Sequence, residues 1–384
     1  MFSSRLLWSQ RPNRLSALAA EKHRDGVQVL DLTESNPTHA GVAYPQAEIL
    51  AALADAHSLR YQPSPRGLDS AREAVAAYYC VRGTETHRQN VLLTASTSEA
   101  YAYLFKLLAN PGDEILAPRP SYPLFELLAG LESVNIRHYP LRYDGAWHID
   151  FDALEQAITP RTRGIVVVNP NNPTGSFLKR AELEALDSLA ARRGIAILSD
   201  EVFRDYTFGE EAGRVSTLVG DRRALTFSMS GLSKIAGLPQ MKLGWIVASG
   251  PNRDEALDAL ELIADTYLSV STPVQIALPR LFALSKGIME QIRKRTASNL
   301  VRLRESVHGT AATLLRTEGG WNAVLQVPQT LTEEEWTIKL LDEFNVLVQP
   351  GFFFDFESEA FLVLSLLPEP AAFTEGLSRL FSVI

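Results

Sequence analysis

A chain of 384 residues, 46% hydrophobic and 21% charged, has the balance of a globular protein and is too long for one small core, so a large domain and a smaller one are expected. A formal charge of −8 and a pI near 5.5 argue against a nucleic-acid partner, because affinity for phosphate backbones rests on surplus Lys and Arg. Cys80 is the only cysteine, which rules out an internal disulfide and a cysteine-rich metal site and fits a reducing compartment.

The N-terminal stretch "MFSSRLLWSQRPNRLSALAAEK" has no uninterrupted apolar core of signal-peptide length, and runs such as "FLVLSLL" (361–367) are only strand-sized. No membrane span is expected, and the chain reads as cytoplasmic. Residues 1 to about 41 hold no complete α/β unit and are expected to pack on the C-terminal part. From about 90 to 248, short apolar runs alternate with helical patterns: "VLLT" (91–94), "EILA" (114–117), "GIVVV" (164–168), "IAILS" (195–199), "ALTFS" (224–228) and "GWIVA" (244–248). Runs this apolar suit strands buried on both faces, and helices between them imply parallel crossovers. The segment "LKRAELEALDSLAARRG" predicts a helix with Leu183, Leu186, Leu189 and Ala190 on one stripe and Gly194 as its stop. Beyond about 252 the pattern turns helical, with a long polar-rich segment near 286–308. Strands return around 320, and Thr332 and Glu335 have the spacing of a capping box ahead of another helix. The fold class is therefore α/β, divided into a large domain over 42–275 and a smaller one built from 1–41 and 276–384.

Ligands of such sheets sit at the carboxyl ends of the strands, and four stretches lie there. "TASTSEA" (94–100) opens a helix and offers Ser96, Thr97 and Ser98 to a phosphate, although such residues are also ordinary helix caps. "NPNNPTG" (169–175) is a turn in which Asn172 can donate a hydrogen bond. "SDEVF" (199–203) places Asp200 after a buried strand, where a carboxylate calls for a cationic partner. "SMSGLSKIAGLPQMKLGW" (228–245) holds Lys234 as an imine-forming nucleophile and Lys242 as a phosphate cation. Pyridoxal 5′-phosphate has these needs: a lysine for its aldehyde, an acid for its ring nitrogen, donors for its phosphate and phenolate, and an aromatic plate.

"LTESNPT" (32–38), "RPSYP" (119–123), "NPNNPTG", "SDEVF" and "SGLSK" (230–234), in this order and at these spacings, resemble the class I/II aminotransferases related to aspartate aminotransferase, over nearly the whole chain. The resemblance implies the fold-type I architecture of pyridoxal-phosphate enzymes, with a mostly parallel seven-stranded sheet layered by helices and a smaller α/β domain. It also implies an enzyme that moves an amino group from a small-molecule amino donor to a keto or aldehyde acceptor. Lys234 would form the internal aldimine and shuttle the proton, Asp200 would pair with the pyridine nitrogen, Asn172 would bind the phenolic oxygen and Tyr122 would stack on the ring. Ser96, Thr97, Ser98, Ser233 and Lys242 would hold the phosphate. Tyr61, in "YQPSPRG" (61–67), would reach the neighbouring subunit's phosphate, which implies a homodimer.

Four positions depart from the family's pattern. Lys242 stands where most relatives have arginine, which keeps the charge and loses the bidentate fork. Phe203 stands where many carry a tyrosine, and a phenyl ring cannot donate to the phenolic oxygen. Val363, in "FLVLS", takes the place of the arginine that clamps an α-carboxylate, and Ser35, next to Asn36, replaces a glycine of the N-terminal segment. Either another cation, with Arg66 as nominee, takes over the carboxylate, or the substrate lacks one and meets an apolar wall from "PGFFFDF" (350–356). The same scaffold and lysine also run β-elimination in carbon–sulfur lyases, and a non-catalytic module binding the same cofactor is a third reading.

Overall fold

The computed structural model describes residues 3–6 and 13–384; residues 1, 2 and 7–12 of the segment assigned to the smaller domain lie outside the described residues. An eight-stranded sheet forms the centre: β1 (Val91–Thr94), β2 (Glu114–Arg119), β3 (Asn135–Tyr143), β4 (Trp147–Ile149), β5 (Thr162–Val168), β6 (Ala196–Asp200), β7 (Thr226–Gly231) and β8 (Gly244–Ser249). The order across the sheet is β1-β8-β7-β6-β5-β2-β3-β4. Six strands share one direction, while β8 and β4 run against their neighbours. The seven expected strands are thus joined by β4, a three-residue strand that closes a hairpin with β3.

The apolar runs are continuous because both faces are covered. Along β5, Ile165 and Val167 turn to one side and Val166 and Val168 to the other, as the two-residue period of a strand requires. One side meets helix α1 (Thr97–Leu108) through Leu104 and Phe105. The opposite side meets helix α2 (Arg180–Arg193) through Leu183, Leu186, Leu189 and Ala190, the stripe read from the sequence. The chain leaves α2 at Gly194, whose φ of 65° is the left-handed conformation a C-terminal cap uses.

A second, antiparallel sheet contains β9 (Thr313–Leu314), β10 (Asn322–Gln326), β11 (Gln349–Pro350) and β12 (Phe361–Ser365), in the order β9-β10-β12-β11. The N-terminal segment joins this part of the chain: Leu30–Asp31 pairs in parallel with Val346–Leu347. Between the two sheets runs helix α3 (Thr272–Ser306), 35 residues long. Its first two thirds pack through Leu278, Leu281, Ile288 and Ile292 against Trp245 of the central sheet, and its last turns place Leu300 and Leu303 against Leu362 and Leu364 of the second. The expected boundary at 275/276 therefore falls inside α3. Helix α4 (Glu333–Phe344) begins with the anticipated capping box: Thr332 accepts from the Glu335 N–H at 3.2 Å and the Glu335 carboxylate accepts from the Thr332 N–H at 2.8 Å.

Candidate active site

The carboxyl end of β5, β6 and β7, the start of α1 and the loop after β2 surround one cavity of about 380 Å³, closed on the far side by the second sheet. At the end of β1 the chain turns at Ser96, whose hydroxyl accepts from the Glu99 N–H at 3.1 Å and caps α1. Thr97 and Ser98 follow on the first turn and line the cavity, so hydroxyls and unpaired N–H groups of a helix start face the same space. Two glycines permit this closeness. A Cβ on Gly244 would lie 3.1 Å from the Ser96 carbonyl carbon, and one on Gly231 would lie 3.0 Å from the Leu243 carbonyl oxygen.

Strand β6 delivers Asp200 to the cavity floor, where its carboxylate accepts from the Val202 N–H and the Tyr101 hydroxyl, each at 3.2 Å. After β7 a single helical turn, Leu232–Ile235, carries Ser233 and Lys234 to the lining. The Tyr206 hydroxyl holds this turn by donating to the Lys234 carbonyl at 2.6 Å. The lysine Nζ lies 5.0 Å from the Trp321 ring centroid and 5.7 Å from that of Phe203. Lys242 lines the cavity from a left-handed backbone, with φ of 50°. From the turn after β5, Asn172 accepts at 2.5 Å from the side-chain amide of Asn322. Tyr122 closes the set from the loop after β2, whose Ser121 N–H donates at 2.9 Å to the Phe354 carbonyl.

Electrostatics mark two of these groups. Burial pushes the Asp200 carboxyl up from 3.8 to about 6, against the pull of its two donors and of Lys234. Burial likewise pulls Lys234 down from 10.5 to about 8, partly offset by Asp200 and Glu34. A carboxylate short of a cation beside a lysine ready to lose its proton matches what a protonated heterocycle bearing an aldehyde requires. The hydroxyl-rich helix start with Lys242 suits that molecule's phosphate. These residues fit pyridoxal phosphate.

Four nominated residues lie elsewhere. Val363 does not line the cavity; it is buried among Trp147, Leu315, Val324 and Phe354, and it is Phe354 that reaches the lining. Arg66 pairs with Glu261 at 2.6 Å and Asp258 at 2.5 Å and does not line this chain's cavity. Asn36 does not reach the cavity either, because its side chain accepts from the Thr38 N–H and hydroxyl in a local turn, whereas Ser35 does line it. Tyr61 is 83% exposed and stands outside this chain's own cavity, in a surface recess with Leu268 and Gln275. The lining also includes Tyr101, Trp321, Asn322 and Gln349, none of them singled out in the sequence. Tyr101 sits in the first turns of α1 and Asn322 opens β10 in "GGWNAVLQ", but neither lies in a stretch with a chemical pattern of its own.

The family profile described as aminotransferase class I and II matches residues 27–378. The chain is 30% identical to a glutamate–pyruvate aminotransferase of Escherichia coli over 278 residues, covering 71% of this chain and 68% of that protein. It is 28% identical to human tyrosine aminotransferase, covering 94% and 84%. Among solved structures, an alanine aminotransferase from Pyrococcus furiosus superposes with a TM-score of 0.88 at 26% identity, covering 100% of this chain and 99% of that one.

Proposed function

This chain belongs to the class I and II aminotransferases, pyridoxal-phosphate-dependent enzymes that move an amino group between an amine or amino acid and a keto or aldehyde acceptor, and on that premise we propose that the cavity between the two sheets is its active site. The observation that carries this reading is the meeting of Lys234, Asp200, Asn172, Tyr122 and the Ser96–Ser98 helix start in one cavity, although they come from five separate loops.

When bound, pyridoxal phosphate supplies an electron sink that stabilises a carbanion at the carbon carrying the amine. The protein's contribution is to bind, charge and position. Asp200 holds a proton on the ring nitrogen, and its own donor Tyr101 keeps the carboxylate oriented. Lys234 would hold the cofactor through Nζ, and the same amine is placed to carry the substrate's proton. Burial disfavours the ammonium form of this lysine, which suits an amine that must take up a proton. Asn172 is oriented by Asn322 and would present its side-chain N–H to the phenolic oxygen, and Tyr122 would cover the ring face. Ser96, Thr97, Ser98, Ser233 and Lys242 hold the phosphate, whose charge the helix start favours.

We assign the cofactor domain to 42–275 and the smaller domain to 1–41 with 276–384, a boundary that crosses α3 in its first turns. The enzyme acts as a homodimer in the cytoplasm, with exposed Tyr61 reaching the partner's phosphate site; Leu59, Leu262 and Tyr267 are large apolar side chains also left exposed. Among the described residues no helix is long and apolar enough to cross a membrane. Replacing Lys234 by Ala and recording the absorbance of protein loaded with pyridoxal phosphate tests the site. Loss of the covalently bound band together with amino transfer is expected, and persistence of both in the variant would remove Lys234 from its role. Sedimentation of the wild-type protein tests the dimer, and a monomer with full activity would refute it.

A further inference from the structure

The cavity has one end that the cofactor's needs do not use. Trp321, Asn322, Gln349 and Phe354 form it from the second sheet, with Thr33 and Ser35 from the N-terminal segment. Among the described residues that line the cavity, the charged ones are Asp200, Lys234 and Lys242, and the proposed active site assigns all three to the ring nitrogen, the aldehyde and the phosphate. Neither Arg66 nor Arg119, at the end of β2, reaches the lining. Glu34, next to Ser35, acts on Lys234 with a negative charge of its own. A carboxylate brought to this end would give up water without meeting a cation from this chain, an expensive way to bury a charge.

What the end does offer is neutral donors. The Trp321 Nε1–H is buried without a partner, on a residue only 1% exposed. A buried donor left without an acceptor is destabilising by itself, and an acceptor on a ligand in the cavity that Trp321 lines would relieve that cost. Gln349, opposite Val363 in the register of β11 with β12, adds an amide, and Asn322 adds the remaining N–H of the group that donates to Asn172. Leu124, Phe125, Leu128 and Phe354 make the neighbouring wall apolar.

Resting on the assignment of this cavity to amino transfer, we propose that the preferred donor carries no carboxylate on the carbon bearing its amine. It is a primary amine with an apolar body and a neutral hydrogen-bonding group, as in an amino alcohol, and that group is received by Trp321, Asn322 and Gln349. The exchange balances without an oxidant: the donor's C–NH2 becomes C=O while the acceptor's C=O becomes C–NH2.

Two pairs of probes test this. L-phenylalaninol and L-phenylalanine differ in a hydroxymethyl against a carboxylate, and each converts the bound coenzyme's absorbance in a single turnover if accepted. The alcohol is expected to half-saturate at a concentration at least tenfold lower. Calorimetry with 3-phenylpropan-1-ol and 3-phenylpropionate, which have no amine to react, reports binding apart from catalysis, and the alcohol is expected to bind at least tenfold more tightly. Trp321→Phe and Gln349→Leu should each weaken the alcohol several-fold and leave the carboxylate little changed. Equal or tighter binding of the carboxylates, or no binding of the alcohol, overturns the proposal while leaving amino transfer intact. Tight binding of phenylpropanol with no coenzyme conversion by any donor would instead sink the reading of the cavity as an aminotransferase site.

Discussion

Replacing Asp200 by Asn should have opposite effects on the protein with and without its cofactor. In the cofactor-free protein the carboxyl titrates near 6 and not at its ordinary 3.8, because burial opposes the charge. The folded state therefore binds more protons than the unfolded one between pH 3.8 and 6, and stability falls as pH rises through that window. At 1.36 kcal/mol per pH unit the difference is about 3 kcal/mol, a ceiling that water in the open cavity lowers. Asparagine keeps the shape without the charge. The cofactor-free variant should thus match the parent near pH 4 and exceed it by about 1 to 3 kcal/mol at pH 7, which for a chain of this length is about 1 to 4 °C in Tm. With pyridoxal phosphate bound the order reverses, since the ring nitrogen loses its counter-charge. Thermal unfolding followed at pH 4, 5.5 and 7, with and without the cofactor, reads both arms. A cofactor-free variant that is less stable at pH 7, or a difference that does not grow with pH, would refute the net cost of burying a charged acid at position 200.

Phe203→Tyr places a phenol 5 to 6 Å from Lys234, as the parent ring already is, and should lower the pH midpoint of the bound coenzyme's absorbance change by about one unit; an unmoved midpoint would show that the new hydroxyl does not reach the cofactor. Glu333, 2% exposed, accepts from the N–H groups of Phe352 and Phe361 at 2.6 Å, and burial pushes its carboxyl up to about 7. Glu333→Gln forfeits one of these acceptors, a loss of about 1 to 3 kcal/mol at pH 5. Because the parent itself loses stability as pH rises from 4.5 to 7, the deficit should shrink by pH 8, and a denaturant series showing a constant deficit would contradict the titration. Leu186→Ala removes a fully buried side chain of α2 and should lower stability by about 2 to 5 kcal/mol, seen as an earlier urea midpoint at unchanged slope.

The strands with continuous apolar runs were legible because both faces of a parallel sheet are covered, which removes the polar alternation. Strand β3 was not: Asn135, Arg137 and Arg142 interrupt it, and its position near the sheet edge leaves those residues at least partly exposed. Lys234, Asp200 and Asn172 stood out because a polar group at the end of a buried strand needs a reason. Trp321, Asn322 and Gln349 stayed hidden because nothing in a local pattern says that the second sheet folds back over the first. The same limit misplaced Val363. Its place in a strand could be read from spacing, but not that Phe354 from the neighbouring turn would occupy the lining instead.

Helix α3, with Pro279 inside it, extends over about 52 Å of helical rise at 1.5 Å per residue for its 35 residues and packs into both halves of the molecule. If the second sheet melted alone, Leu300 and Leu303 would be left bare at the tip of a helix still held by Leu278 and Leu281. The apolar area released at that tip couples the halves, so denaturation should proceed as one cooperative event and protease cleavage within 286–306 should await global unfolding.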